Sequence, residues 1–198
     1  KSDAKEGFRL GLMQDFGLDV SDAEDTVLDD ILYIDTDGKG GIIAGSNPGA
    51  LLIAVYRYLR FCGCRWFWDG DRLPPKGHVD IAGTDIREKS RFTYRGQRYF
   101  AHRSLTRFQA EHWDFEDWKK EIDWCLKKRF NLFMLRIGMD DLFQKAFPED
   151  VAYPPENAPM PGAGTGYNNR TTAWSLQYRG QLRKKVMDYA FQHDLMHP

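Results

Sequence analysis

The sequence predicts an α/β protein in two parts: a small α/β domain over residues 1–90 and a series of βα units over residues 91–198. Three observations carry that expectation. Val27–Ile34 and Gly41–Ala44 read as strands, and a capped apolar helix follows them from Pro48 to Cys62. A polar, glycine-containing stretch, "KGHVDIAGTDIREKSRF" from Lys76 to Phe92, then interrupts the pattern as a short edge strand plus linker, which places the boundary near residue 90. Beyond it, Arg98–Ala101, a helix in "WDFEDWKKEIDWCLKK", and Leu132–Ile137 give strand, helix and strand at the spacing of a βαβ unit with a buried parallel sheet.

In the first part, Gly38–Gly41 supplies the turn between two strands. Ser46 or Asn47 caps the helix, and Pro48 sits just inside it, where its fixed φ suits the first turn. Leu51, Leu52, Val55, Tyr56 and Leu59 recur at helical spacing and define the expected buried face. Gly63 ends the helix as a left-handed residue. Cys64–Trp68 reads as a strand, which Leu73, Pro74 and Pro75 close. These glycines do not make a phosphate cradle. No Lys-Ser or Lys-Thr follows them as a P-loop requires, and Gly38, Gly40 and Gly41 precede a strand rather than opening a helix.

In the second part, Asp114 is the expected N-cap, with Asp117 near the positive helix end. Phe115, Trp118, Ile122, Cys125 and Leu126 share one face, and Lys127, Lys128 and Arg129 crowd the last turn, where cations suit the dipole. Asn131 leads into the strand Leu132–Ile137, and a helical piece is expected over Asp140–Phe147. Pro148–Arg170, rich in Pro, Gly and Asn, reads as a long loop. Gln181–Gln192 is an amphipathic helix with Leu182, Val186, Tyr189 and Ala190 apolar, and Leu195–Pro198 resembles the start of a further strand.

Composition removes several function classes. A formal net charge of −1 with no basic stripe argues against a nucleic-acid partner. The longest apolar run, Ala50–Tyr56, is too short to span a bilayer, so no membrane partner is expected. Lys1–Leu12 lacks the apolar run of a signal peptide, as would a mature secreted chain after cleavage. Three cysteines, Cys62, Cys64 and Cys125, make no disulfide framework and are expected as buried free thiols. His78, His102, His112, His193 and His197 show no metal-ligand spacing, so neither a metal nor another cofactor is expected. Asn169–Thr171 is a glycosylation sequon, of consequence only on a eukaryotic secretory route.

Two stretches carry a resemblance. "GIIAGSNPGALLIAVYRYLRFCGCRWFW" is similar to the small hexosaminidase-type α/β sandwich domain that precedes the catalytic barrel in glycoside hydrolase families 20, 67, 89 and 115. "RYFAHRSLTRFQAEHWDFEDWKKEIDW" resembles the start of the barrel in family 89 α-N-acetylglucosaminidases, whose W-D-x-x-x-W-x-x-E-I-D-W-like helix is matched by Trp113, Asp114, Trp118, Glu121, Ile122, Asp123 and Trp124. Asn131, Leu132 and Gly138 match that family's following strand. The resemblance implies an incomplete (β/α)8 barrel after the small domain, an exo-acting retaining glycosidase, a carbohydrate substrate, and a secreted, periplasmic or lysosome-like location. It also carries departures. His102 and Ser104 stand where the family has an Asn and a Cys facing the sugar, Arg129 stands where a glycine is usual, and Asp140 falls where Glu is frequent. These leave the fold unaffected and the N-acetylglucosamine specificity open.

The expected substrate-binding residues are His102, Ser104 and Trp113. His102 either donates a hydrogen bond to a sugar hydroxyl or bonds a neighbouring loop. Trp113 precedes the helix nearest the strand mouth and is the candidate for stacking on a sugar, whereas Trp118 fits the core. No catalytic residue is assigned, because the family's two carboxylates come from later barrel strands. Asp140 and Asp141 are adjacent, so their side chains diverge by about 100° on a helix and do not readily straddle one bond. The 198-residue chain alone is therefore expected to be inert on aryl glycosides. An open parallel sheet is also expected to associate with further sequence or with a second copy through its exposed edge. The competing reading is a non-catalytic carbohydrate-binding or interaction module.

Overall fold

The computed structural model describes residues 7–37, 39–75, 83–98, 113–135, 142, 145–150 and 176–195. The architecture is mixed α/β. In chain order it contains β1 (Gly7–Leu12), a 3-10 turn (Met13–Phe16), β2 (Ile31–Thr36), β3 (Gly40–Gly45), α1 (Pro48–Phe61), β4 (Arg65–Phe67), β5 (Gly70–Arg72), β6 (Thr84–Lys89), β7 (Gly96–Arg98), α2 (Phe115–Lys127), β8 (Leu132–Met134) and α3 (Leu176–Gln192). The chain forms two compact units, one of Lys1–Arg95 with Asp123–Asn131 and one of Gly96–Ile122 with Leu132–Pro198.

The first unit is built on a four-stranded sheet in the order β1-β3-β2-β6. β1 runs parallel to β3, and the other neighbours are antiparallel. Strand alternation sends side chains to both faces. Leu32, Ile34 and Ile43 pack with Ala50, Ile53, Ala54, Tyr58 and Cys62 of the α1 side. Ile31 and Ala44 point the other way and pack with Met13, and Phe16, Leu18, Val20 and Ala23 cover them. The edge strand expected within Lys76–Phe92 is β6.

β1 was not foreseen: GFRLGL has weak alternation, and its partner β3 lies over thirty residues away in the paired register Gly7↔Gly40. β2 starts later than Val27. Asp25 accepts hydrogen bonds from the amides of Val27 (2.8 Å) and Leu28 (3.0 Å), while Asp29 N–H donates to Asp25 O at 2.9 Å. That bonding commits 25–29 to a turn. Cys64–Trp68 is also not a strand of the main sheet. Arg65–Phe67 folds back on Gly70–Arg72 as a separate antiparallel hairpin.

Both ends of α1 follow the sequence. Asn47 is the cap, its Oδ1 accepting from Ala50 N–H at 2.7 Å. Ser46 serves the sheet instead: its Oγ accepts from Ile31 N–H (3.0 Å) and donates to Asp29 O (3.1 Å). Gly63 takes φ 94, and Cys64 N–H closes on Leu59 O at 3.0 Å, the left-handed helix ending that glycine favours. The buried face is rotated from the expected one. Ala50, Ile53, Ala54 and Tyr58 are buried, whereas Leu51, Leu52, Val55, Tyr56 and Leu59 are only partly so. A close fit explains the rotation, because a Cβ added to Gly45 would lie 2.1 Å from the Leu51 nitrogen. The sheet therefore meets the alanine side of the helix.

In the second unit β7 and β8 pair in parallel, Gly96↔Leu132 to Arg98↔Met134, across a connection that contains α2. This is the expected βαβ pattern. The remainder of the expected strands, 99–101 and 136–137, lies outside the described residues, as do Asp140, Asp141 and the stretch 151–170. α3 begins at Leu176, earlier than Gln181, and buries Leu182, Val186 and Ala190, with Tyr189 partly exposed. Of the expected stretch Leu195–Pro198 only Leu195 is described: its N–H donates to Ala190 O at 3.0 Å after Asp194 turns left-handed at φ 59, and its side chain is buried. Residues 196–198 lie outside the described residues. The three cysteines are free and buried.

Candidate functional site

Trp113 is the one expected site residue that the structure describes; His102 and Ser104 lie outside the described residues. It stands at the start of α2, in the connection that leaves the C-terminal end of β7. Asp114 fixes the helix there: its Oδ1 accepts from Asp117 N–H at 3.0 Å, and the Asp117 carboxylate accepts from Asp114 N–H at 3.4 Å. The Trp113 ring meets Trp118 edge-to-face at 5.0 Å and 78°, and Trp118 meets Phe133 of β8 at 5.8 Å and 90°. Trp118 and Phe133 are buried, while Trp113 is partly exposed. Edge-to-face packing at these separations holds an aromatic ring in place. Trp113 is thus an oriented, half-exposed indole on a rigid base, and Trp118 is core as expected. Trp124 packs on Phe130 just past its own helix, at 6.0 Å.

Two residues with positional roles escaped the sequence reading. Arg183 of α3 donates to Leu135 O at 2.9 Å, immediately after β8. Burial lowers its guanidinium from the ordinary value. In the sequence it opens the run Arg183-Lys184-Lys185, which reads as a solvated charge cluster. Asn131, known beforehand only as a motif residue, is buried and bonds through three atoms. Its N–H donates to Arg95 O (2.9 Å), its Oδ1 accepts from Arg95 N–H (2.8 Å), and its Nδ2 donates to Thr93 O (2.7 Å) and Leu28 O (3.3 Å). The amide thereby fixes the chain just before β7 and β8 begin.

The strongest electrostatics lie in the first unit. Asp29 and Asp30 are both buried. Burial alone would raise Asp29, but hydrogen bonds from the Asp25 and Glu24 amides and from Thr93, with Lys89 nearby, hold it below the ordinary carboxylate value. Asp30 goes the other way: burial raises it despite the ion pair with Arg95 and Arg129 Nε at 3.6 Å. Among the described residues, no group of three or more His, Cys, Asp or Glu is placed to hold a metal ion. No described helix is long and apolar enough to cross a membrane.

The fold and the site define a small mixed α/β unit followed by a parallel βαβ unit that presents an aromatic residue at its strand-to-helix connection. No family model matches the chain. The human protein "Alpha-N-acetylglucosaminidase" is 28% identical over 115 residues, which is 56% of this chain and 15% of that protein. A family 89 glycoside hydrolase from Clostridium perfringens in complex with PUGNAc matches with a TM-score of 0.59 at 15% identity, covering 85% of this chain and 20% of the other. A variant family 89 protein from the same organism, in complex with its substrate GlcNAc-α-1,4-galactose, matches with a TM-score of 0.60 at 13% identity, covering 98% and 27%. The chain resembles family 89 glycoside hydrolases, and it spans about a quarter or less of the length of these relatives.

Proposed function

We propose that these residues form the N-terminal part of an exo-acting, retaining glycoside hydrolase that cleaves a glycoside such as an α-N-acetylglucosaminide. In this reading residues 1–90 are the small α/β domain and 91–198 open a (β/α)8 barrel. Later barrel strands supply the acid/base and the nucleophile, about 5 Å apart as retention requires. His102, Ser104 and Trp113 line the sugar site, and the protein works in a secreted, periplasmic or lysosome-like compartment. The observation that carries the reading is the oriented, half-exposed Trp113 just before α2 of a parallel βαβ unit; barrel enzymes build their sites from their strand-to-helix connections. The likeness to α-N-acetylglucosaminidase supports it.

The test is to express the whole protein that carries this chain and follow an aryl α-N-acetylglucosaminide by product release and by the anomer first formed. Release with retained configuration is expected, with kcat/KM falling about tenfold or more in Trp113→Ala. Absence of release from any aryl glycoside overturns the reading.

One observation favours a non-catalytic carbohydrate-binding module. Trp68 is 59% exposed in the turn between β4 and β5, and an exposed indole suits the apolar face of a pyranose. Under that reading Trp68→Ala abolishes binding of an N-acetylglucosamine-terminated oligosaccharide, while Trp113→Ala leaves it unchanged.

A further inference from the structure

Residues 90–95 of the first unit follow β6 and are tied down from within. Ser90 N–H donates to Asp30 O at 3.0 Å. Thr93 Oγ1 donates to the Asp29 carboxylate at 3.2 Å, and the Thr93 carbonyl accepts from Asn131 Nδ2 at 2.7 Å. Arg95 turns back on the segment. Its Nη1 donates to Ser90 Oγ (3.1 Å) and to the carbonyls of Phe92 (2.5 Å) and Thr93 (3.2 Å), while its Nη2 engages the Asp30 carboxylate. The Arg95 amide donates to Asn131 Oδ1 at 2.8 Å. This bonding fixes the backbone on both sides of two residues whose own side chains take no part in it.

Those residues are Phe92 and Tyr94. With Thr93 and Arg95 turned inward, they are 71% and 63% exposed, and Arg91 beside them is exposed as well. Rings on a backbone fixed beforehand lose little freedom when a ligand covers them. The chemistry around them selects the ligand. A protein partner takes its affinity from aromatic anchors set within a desolvated apolar patch. Here the residues beside and between the rings, Arg91, Thr93 and Arg95, are polar. A pyranose suits that combination: its C–H face lies on an aromatic ring, and its hydroxyls bond to flanking polar groups such as the Arg91 guanidinium and the Tyr94 hydroxyl. The segment leads into β7 rather than out of it, so it is not one of the strand-to-helix connections from which barrel sites are built.

We propose that Phe92 and Tyr94 form an auxiliary binding site for a neutral pyranose oligosaccharide, additional to the site that contains Trp113. The inference rests on the reading of the protein as carbohydrate-active, but it requires no catalysis. The test is retention of the 198-residue chain on an immobilised glycan ending in GlcNAc-α-1,4-galactose, the sugar that a family 89 structural relative binds. The unaltered chain is expected to be retained. The double variant Phe92→Ala, Tyr94→Ala should bind about tenfold or more weakly with an unchanged melting curve, and Tyr94→Phe, which keeps the ring, should lose less than Tyr94→Ala. Equal retention of the double variant overturns the proposal, and so does absence of retention of the unaltered chain. Self-association that the double variant abolishes also overturns it, because the rings would then serve a contact between copies. Turnover of an aryl glycoside by the whole protein without this retention would leave the proposed activity standing and remove the auxiliary site, whereas retention without turnover would do the reverse.

Discussion

Arg129 holds a backbone conformation, φ 67, that a side chain ordinarily avoids. It follows the last turn of α2, and Phe130 N–H donates to Cys125 O at 3.0 Å across it, closing the helix as a left-handed residue does. The family resemblance places a glycine there, so the need for this conformation was legible in the sequence. The reason arginine serves was not, because its partners Asp30 and Glu88 are 99 and 41 residues away. Two substitutions separate strain from charge. Arg129→Ala loses the ion pairs and keeps the strain, while Arg129→Gly loses the pairs and relieves it, so the glycine variant should be the more stable by about 1 kcal/mol in chemical denaturation. Tyr58 offers a pH test at the same scale. Burial, with Cys62 beside it, pushes its phenol up to about 12, above an unfolded value of about 10. A raised folded value favours the neutral phenol in the native state. Its stabilising share is therefore full below about pH 10 and is lost as pH rises through that value towards 12. Denaturant stability should fall across this window, and Tyr58→Phe, which keeps the ring beside Phe8 at 5.0 Å, should flatten the fall.

At the scale of elements, α1 shows what a hydrophobic pattern leaves undecided. Ala50–Tyr56 is apolar at every position, so periodicity identifies the helix without selecting its inward side. Large residues suggested the Leu51–Val55–Leu59 stripe, but the sheet selected the side on which alanines permit close approach. Three substitutions distinguish these faces. Ile53→Ala should cost about 2–5 kcal/mol as a core truncation. Ala54→Leu should cost about 1–3 kcal/mol by overpacking against the sheet. Leu59→Ala should cost clearly less than Ile53→Ala, and a larger loss at Leu59 would restore the stripe that the sequence suggested. The caps were legible because Asn47, Pro48 and Gly63 act within a few residues of themselves. β1 was not, since its hydrogen bonds come from a partner over thirty residues away. Of the candidate site, the strand, helix and strand that carry Trp113 were readable from local pattern, but the stacking that orients its ring depends on Phe133 across the βαβ connection.

At the scale of the whole molecule, a change in composition led the sequence reading to a boundary near residue 90, whereas the first compact unit runs to Arg95 and also takes in Asp123–Asn131 from the middle of the second half. Nothing local marks those nine residues, because their ties run to distant partners. Lys127 pairs with Asp71, Arg129 with Glu88 and Asp30, and Asn131 with Leu28 and Thr93. This gives a prediction about excision. A chain cut after Arg95 keeps the sheet, α1 and the β4–β5 hairpin but loses every one of those ties. The Asp30 carboxylate would keep only Arg95, and the Arg95 amide would lose the Asn131 side chain that it now bonds. Leaving buried polar groups unpaired costs about 1–3 kcal/mol each, a large share of the about 5–15 kcal/mol that stabilises an ordinary domain. The excised 1–95 chain should therefore melt broadly and bind a hydrophobic dye, and adding a separate peptide of residues 123–131 should sharpen the melt. A cooperative transition as steep as that of the whole chain, with no response to the peptide, would mean that the sheet and α1 form a complete domain and that residues 123–131 merely rest against it.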